Sequence, residues 1–236
     1  MLPAIVHGSI TCDVFSMRIV RYGRARSETA AIRSPLATTG RPDDPVDGTR
    51  PEHPAQHAPM TDHTASDDAT PQGWTTDDGD ALTLRGIRPD DVDAMLAFVR
   101  NLSFAARYFR FGRGDIEFTA DDVRRVCSPN PRECIHFVVV KRGDPDEIVG
   151  SARIVFAAGA SESELAITVA DAWQTRGVGR RLIEALMHGA SRRGITRVHA
   201  EILATNLAMI EFMQRRGFVI ADSPKGPGLK IATTTV

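Results

Sequence analysis

Apolar and polar positions follow a regular pattern only from about residue 81 onward. Residues 82–88 alternate like a short strand, and Pro89, followed by two acids, then begins a helix. The apolar stripe of that helix consists of Ala94, Met95, Phe98, Val99 and Leu102. A second helix is predicted to begin at Thr119, a suitable N-cap with acids behind it.

The rest of the chain alternates between strands and helices. Strands are predicted over 134–140, 147–157, 164–169 and 197–203, the first two forming a hairpin around the turn 143–146. Helices are predicted over 178–193 and 206–216, each ended by a glycine, and the last strands begin at Phe218. An early hairpin and a late strand–helix–strand unit indicate an α/β fold with a mixed sheet.

The region before residue 81 has a different composition. Residues 27–80 hold eleven acidic residues against three arginines, together with seven of the fourteen prolines. Such a segment buries too little apolar surface to offset its backbone entropy. We therefore expect 1–80 to be a disordered leader and 81–236 to be the folded domain. The basic first 26 residues fit either a targeting arm or a tail whose true start is Met17 or Met60.

Charge and cysteine usage narrow the class of protein. A net charge of −1 argues against bulk binding to nucleic acid, and no apolar run approaches the ~20 residues of a membrane span. Three cysteines without a CxxC, and histidines without ligand spacing, predict neither a disulfide framework nor a metal site. We expect a cytoplasmic protein with no nucleic-acid, membrane or metal partner.

The candidate chemistry lies in the stretch Gln174-Thr-Arg-Gly-Val-Gly-Arg180, between a predicted strand and a predicted helix. Gly177 and Gly179 let the backbone approach a ligand, and free amides at a helix start bind phosphate. Arg176 and Arg180 would add cationic donors. The Walker pattern is absent and a dinucleotide fingerprint is incomplete, so from these residues alone the loop fits either a pyrophosphate cradle or a simple tight turn at a helix start.

Two motifs carry a family resemblance. The string Val169-Ala-Asp-Ala-Trp-Gln-Thr-Arg-Gly-Val-Gly-Arg-Arg-Leu182 resembles the acyl-CoA pyrophosphate loop (Q/R-x-x-G-x-G/A) of the GCN5-related N-acetyltransferase (GNAT) family. The string Asn206-Leu-Ala-Met-Ile-Glu-Phe-Met-Gln-Arg-Arg-Gly-Phe218 is similar to that family's asparagine, helix and Gly-Phe. The resemblance covers 82–236. It implies an α/β GNAT fold: a mixed, mostly antiparallel sheet flanked by helices, with a V-shaped splay between 164–169 and 197–203.

The resemblance also implies a donor and its contacts. Acetyl-CoA would be attacked directly by an amine, without an acyl-enzyme and without a metal. The main chain of Ile167 and Val169 would pair with pantetheine, and the Val169 amide would face the thioester oxygen. The implied acetyl-CoA-binding residues are Ile167, Val169, Gln174, Thr175, Arg176, Gly177, Val178, Gly179, Arg180 and Asn206.

An amine acceptor must lose a proton, and a nearby carboxylate is the natural general base. The candidates are Glu162, Glu164 and Glu201. Glu164 opens the strand that leads to the glycine loop, where the family often places its base, and Glu162 is the reserve. The alternative for Glu164 is a solvated carboxylate at a strand end.

One family feature is missing from this chain. Many members carry a tyrosine seven residues after the asparagine, as an acid for the leaving thiolate, but Met213 occupies that place. A thiol with a pKa of about 8.5 can leave unaided. The chain is therefore predicted to work without a tyrosine acid.

The expected acceptor groove points to one subgroup. The run from Asn101 to Phe111 is similar to the acetyltransferase domain of bacterial protein-lysine acetyltransferases that silence acyl-CoA synthetases. The chain keeps that subgroup's Leu102-Ser103, Arg110-Phe111 and Arg132-Glu133, but has Asn130-Pro131 where an Asp-Tyr would fall. The subgroup's large synthetase-like part and any cyclic-nucleotide module are absent, so a stand-alone relative is expected. The alternative for the aromatics of this region is plain helix packing.

Three hypotheses for the function remain open. The first is acetyl transfer from acetyl-CoA to a protein lysine, with an acyl-CoA synthetase as a candidate partner. The second is the same chemistry on a small amine, an amino acid or an antibiotic. The third is a non-catalytic acyl-CoA-binding regulatory module, against which Glu164 argues.

Overall fold

The computed structural model describes residues 70–157 and 159–236. The predicted leader up to residue 69 therefore lies outside the described residues. Its predicted end at residue 80 is wrong, because Gln72–Thr75 forms a strand that pairs antiparallel with the first predicted strand. Trp74 stands opposite Leu82 in this pairing and packs against the core, which brings the end of the acidic stretch into the fold.

Eight strands and five α-helices make up the described part of the chain. The strands are β1 (Gln72–Thr75), β2 (Ala81–Gly86), β3 (Cys134–Lys141), β4 (Glu147–Phe156), β5 (Glu162–Val169), β6 (Arg197–Leu203), β7 (Val219–Asp222) and β8 (Leu229–Thr235). The helices are α1 (Val92–Asn101), α2 (Phe104–Phe111), α3 (Ala120–Cys127), α4 (Val178–Arg192) and α5 (Leu207–Gln214).

The predicted strands and helices are confirmed with shifts of a few residues at their ends. The main addition is α2, a separate helix that the apolar pattern does not divide from α1. Ser103 starts it, because its hydroxyl accepts a hydrogen bond from the Ala106 amide, and Gly112 ends it with a φ of 73°. Thr119 caps α3 as predicted, through a reciprocal pair of hydrogen bonds with Asp122.

The strands form one sheet in the order β1-β2-β3-β4-β5-β6-β8-β7. Every neighbouring pair is antiparallel except β5 and β6, so the predicted mixed, mostly antiparallel sheet is confirmed.

Both faces of the sheet are covered by helices, as alternation along β3 shows. Ile135, Phe137 and Val139 belong to the core cluster that contains α4, whereas Val138 and Val140 belong to the cluster that contains α1 and α3. A strand buried on both faces reads as a continuous apolar run, which explains the sequence pattern of β3.

Candidate active site

The two central strands part from each other and leave a cleft. β5 and β6 pair only over their first three residues, and Glu164, opposite His199, is the last residue of β5 that pairs. β5 continues to pair with β4 as far as Val169, so its other edge is the one that opens. The predicted V-shaped splay is present, and a cavity of about 850 Å³ fills it.

Backbone groups of β5 are directed into this cavity. The amide of Ala170 donates to the carbonyl of Val149 on the β4 side at 2.9 Å. Because hydrogen-bonding directions alternate along a strand, the amides and carbonyls of Ile167 and Val169 point to the opposite side, where β6 has turned away. The predicted roles of these two residues as main-chain donors and acceptors fit this geometry.

The glycine loop forms the end of the cavity at the start of α4. Thr175 and Gly177 both have positive φ, 63° and 80°, and Gly177 is the N-cap residue. The first helical hydrogen bond runs from the Arg181 amide to the Gly177 carbonyl, which leaves the amides of the first turn available to a ligand. Gln174, Thr175, Gly177 and Gly179 line the cavity.

Two predicted loop residues have other roles. The guanidinium of Arg176 lies 2.8 Å from the Asp78 carboxylate and over the ring of Trp173, and it does not line the cavity. Val178 is fully buried in the core, where one of its methyl groups packs so close to Gly150 that a side chain there would clash with it. The structure therefore favours an ion pair with an acidic hairpin over a contribution of the Arg176 guanidinium to the cradle.

Four arginines line the cavity and supply positive charge to it: Arg110 on α2, and three that lie at the start of α4 or just after α5. Arg180, at the start of α4, lines it as predicted and also contacts Glu184 at 3.2 Å. Arg215 and Arg216, just after α5, line it from the facing side, and the guanidinium of Arg216 lies over the Phe212 ring. Sequence reasoning missed these two arginines, since cations are favoured at any helix C-terminus.

The three candidate carboxylates occupy different places. Glu164 lines the cavity at the apex of the V. Glu162 lies outside the cavity lining, exposed, with its carboxylate 2.7 Å from Arg197, so the structure does not favour the reserve base. Glu201 also lines the cavity, from β6, and only 6% of its side chain is exposed.

The predicted asparagine starts α5 at the far side of the cleft. The Asn206 side chain accepts a hydrogen bond from the Met209 amide at 3.2 Å and lines the cavity. Met213 is fully buried and also lines it, in the place where many family members carry a tyrosine. Among the described residues, no tyrosine contributes to the cavity wall.

Helix α2 closes one side of the cavity. Ser103 donates its hydroxyl to the Asp171 carboxylate at 2.8 Å, which ties the start of α2 to the loop before α4. Phe109 and Arg110 line the cavity, whereas Phe104 and Tyr108 on the same helix are 63% and 41% exposed. Phe111, the fourth aromatic of α2, packs against the core cluster of α1 and α3, so the aromatics of this helix divide among the cavity wall, the outer surface and the core.

A buried polar cluster lies behind Arg110. His136 is buried, and its imidazole contacts the Ser151 hydroxyl at 2.8 Å and the Val126 carbonyl at 3.3 Å. Burial and the charge of Arg153 lower the pKa of His136 to about 3, so this imidazole is neutral, as expected for a core histidine. Burial and Arg153 also lower the pKa of Arg110 to about 9, while Glu164 opposes that shift.

The described residues hold neither a membrane-spanning helix nor a group of side chains suited to a metal. No helix in the described part of the chain is both long and apolar enough to cross a membrane. Within the same residues, no three His, Cys, Asp or Glu side chains are grouped in a way that could hold a metal ion.

Comparison with known proteins agrees with the geometry. Residues 81–219 match the family model of the acetyltransferase (GNAT) domain. An acetyltransferase of Pseudomonas aeruginosa is 29% identical over 150 residues, which cover 63% of this chain and 80% of that protein. The acetyltransferase Pat of Mycolicibacterium smegmatis is 38% identical over 86 residues, or 36% of this chain, but this match spans only 26% of that protein's length.

A solved structure extends the likeness to the whole described domain. The GNAT domain of PAT from S. lividans superposes with a TM-score of 0.64 at 26% identity, covering 70% of this chain and 97% of that one. The family uses acetyl-CoA as the acyl donor. The family model, the parted strands and the glycine loop at the start of α4 together show that this chain belongs to the GNAT acetyltransferase family.

Proposed function

We propose that this protein transfers the acetyl group of acetyl-CoA to a primary amine, and that the acceptor is a lysine side chain of a protein. One observation carries the proposal: β5 and β6 part directly beyond Glu164, so a candidate base stands at the apex of a cleft that ends at the start of α4. A regulatory module that only binds acyl-CoA would need no carboxylate at the apex.

The cavity fits the donor in shape and chemistry. The outward-facing main chain of Ile167 and Val169 is suited to pair with the amide-bearing pantetheine arm as a strand would. The first-turn amides of α4 and the guanidinium of Arg180 are suited to a pyrophosphate. Arg215 and Arg216, across the cleft, add positive charge that suits the phosphate on the ribose of CoA.

Acetyl transfer requires that the protein position the amine next to the thioester and supply a general base. A lysine ammonium has a pKa of about 10.4, so a carboxylate must take its proton before the nitrogen can attack. We assign this role to Glu164. The nitrogen then bonds to the thioester carbon, the Val169 amide donates to the carbonyl oxygen as charge develops there, and the carbon–sulfur bond breaks. CoA leaves as the thiolate, because Met213 stands where a tyrosine acid would be, and the second proton that the nitrogen gives up as the amide forms neutralises this thiolate.

Two observations favour a protein as acceptor. The chain is similar to Pat and to the PAT domain, and it keeps the Leu102-Ser103 and Arg110-Phe111 pairs of the protein-lysine subgroup. Phe104 and Tyr108 leave apolar surface exposed on the helix that walls the cavity, where a folded partner would rest. An acyl-CoA synthetase is the first acceptor to test.

The state of the cysteines bears on where the protein is located in the cell. Cys127 and Cys134 are both free thiols, as expected in a reducing compartment, and we propose a cytoplasmic location.

The experiment is an acceptor panel with the full chain. Thiol release from acetyl-CoA is followed with an acyl-CoA synthetase, with lysine peptides and with small amines, and acetylated sites are mapped by mass spectrometry. Acetylation of one lysine of the synthetase, well above the rate on peptides, supports the proposal. Turnover on small amines alone assigns the activity to metabolites instead, and acetyl-CoA binding without turnover on any acceptor leaves a regulatory module.

A further inference from the structure

The Glu201 carboxylate is buried, yet it is held by a lysine that is largely exposed. The Nζ atom of Lys225 lies 2.6 Å from Oε1 of Glu201, and the side chains are 61% and 6% exposed respectively. A carboxylate withdrawn from water needs a cation, because the desolvation cost is otherwise uncompensated. Here the cation is the tip of a long side chain that solvent can reach.

Glu201 faces the same side of the sheet as the candidate base. Glu164 stands directly opposite His199 on β6, and Glu201 follows two residues later. Since side chains alternate between faces along a strand, Glu164 and Glu201 project from the same face, one on each arm of the V. Both line the cavity. The strands therefore carry one carboxylate each at or next to the apex of the V.

The loop that carries Lys225 is short and ordered. It joins β7 to β8, and the Lys225 amide donates to the Ser223 hydroxyl at 3.2 Å. The buried Ser223 donates its own amide to the Leu229 carbonyl at 3.1 Å. The backbone thus holds the lysine in place, while its largely exposed side chain leaves room for the ammonium to leave Glu201 by side-chain rotation alone.

We propose that Glu201 binds the ammonium group of the acceptor, and that Lys225 occupies this position until the acceptor displaces it. This inference rests on the proposed function. Lys225 and an acceptor lysine present the same charged group on the same four-carbon stem, so the exchange conserves the ion pair. A neutral acceptor would leave Glu201 bound to Lys225, so the exchange selects amines that arrive protonated, close to the base that must deprotonate them.

The lysines of the chain make the exchange observable. The full sequence has three, and the other two serve as internal controls: Lys230 pairs with Asp222 at 2.5 Å, and Lys141 pairs with Asp80 at 3.1 Å. Lys230 on β8 lies opposite Ile202 on β6, whereas Glu201 lies opposite Ile231. Side chains alternate between faces along a strand, so Lys230 projects from the face of the sheet opposite to that of Glu201. Selective carbon-13 labelling of lysine gives the full chain three side-chain signals.

The first test is a titration by nuclear magnetic resonance in the presence of CoA. The probe is Nα-acetyllysine methylamide, and its Nε-acetylated form is the neutral control. We expect the amine to move the Lys225 signal to its position in the Glu201→Gln variant, while the signals of Lys141 and Lys230 stay in place. A Lys225 signal that stays in place throughout the titration, or that responds equally to the neutral probe, overturns the inference.

The second test is kinetic, with thermal unfolding as a check that each variant folds. Glu201→Gln should raise the acceptor KM on the order of tenfold, the usual effect of losing a charged hydrogen bond, and change kcat little. Lys225→Met should lower that KM, whereas Lys225→Arg should raise it because a guanidinium holds a carboxylate more firmly. Lys230→Met is the matched control and should change nothing. An unchanged KM in Glu201→Gln, or a raised one in Lys225→Met, contradicts the exchange.

The two proposals fail separately. Displacement of Lys225 by the amine without any acetyl transfer supports this inference and counts against the proposed function. Acetyl transfer by a protein whose Lys225 signal does not respond to the amine supports the proposed function and counts against this inference.

Discussion

Glu164 and His199 are the last two residues at which the central strands still face each other. One residue further along, β5 has a free edge, and the cavity begins there. The separation of β5 from β6 thus determines both the position of the candidate base and the strand edge with which a donor would pair.

The arginines of the glycine loop should differ in their effect on CoA binding. Arg180→Ala should weaken CoA binding on the order of tenfold, because a charge-assisted contact to phosphate is lost. Arg176→Ala should leave the CoA dissociation constant unchanged, since that guanidinium pairs with Asp78 and lies over Trp173. Isothermal titration at two salt concentrations measures both variants. Equal losses in the two variants would show that Arg176 also reaches the phosphates.

The glycines at the two ends of α4 form a matched pair. Gly177 and Gly194 have φ of 80° and 70°, and nothing lies within 4 Å of a Cβ added to either. Alanine at either position should cost about 1–2 kcal/mol of unfolding free energy, because only the backbone conformation is strained. Gly177→Ala should in addition weaken CoA binding, as it tilts the amides of the first helical turn. Urea unfolding with a CoA titration separates the two effects, and a binding defect in Gly194→Ala would contradict the assignment.

Ser103 should link the stability of α2 to the use of the acceptor. It caps α2 and donates to Asp171, so Ser103→Ala should lose about 1 kcal/mol of unfolding free energy. The loosened helix carries Phe109 and Arg110 in the cavity wall, and we expect a higher acceptor KM with an unchanged affinity for CoA. Thr119→Ala on α3 is the control: it removes a cap of the same kind away from the cavity, and should change stability alone.

His136 should make the fold sensitive to acid. Its pKa is about 3 in the folded protein and about 6.5 in the unfolded chain, so the unfolded state binds the extra proton as the pH falls. The stability that the neutral imidazole contributes is complete above the unfolded pKa and is lost progressively between pH 6.5 and 3. From pH 7 to 5 this loss is about 2 kcal/mol for one such group.

The measurement compares the protein with His136→Asn by urea unfolding at both pH values. The variant is expected to be less stable at pH 7, because its contacts to Ser151 and Val126 change. Its own loss between pH 7 and 5 should nevertheless be smaller by that amount. Parallel losses in both proteins would show that His136 is not the group that titrates.

Much of this molecule could be predicted from sequence because its signals are local. Helix caps such as Thr119, the apolar run of β3 and the glycine loop each depend on a few adjacent residues. The resemblance to GNAT proteins then supplied the splay between the central strands, which no periodicity encodes.

What the sequence did not reveal concerns contacts between distant segments. Arg176 was predicted to face the cradle, but its partner Asp78 lies almost a hundred residues upstream, in a stretch that composition assigned to a leader. Arg215 and Arg216 follow a helix end, where cations are common, so nothing in the sequence singled them out as residues of the cavity wall. The ion pair of Glu201 with Lys225 likewise depends on how β7 and β8 fold back.

The central claim is that Glu164, at the parting of β5 and β6, removes the proton from the acceptor amine. The most direct measurement is acetyl transfer by the full chain, compared between Glu164→Gln and Glu162→Gln, with CoA affinity measured for both. Glu164→Gln should lose about 10²- to 10⁴-fold in kcat with CoA binding retained. Glu162→Gln, changed two residues away at an exposed ion pair with Arg197, should keep its activity. Full activity in Glu164→Gln, or an equal loss in Glu162→Gln, would contradict the claim.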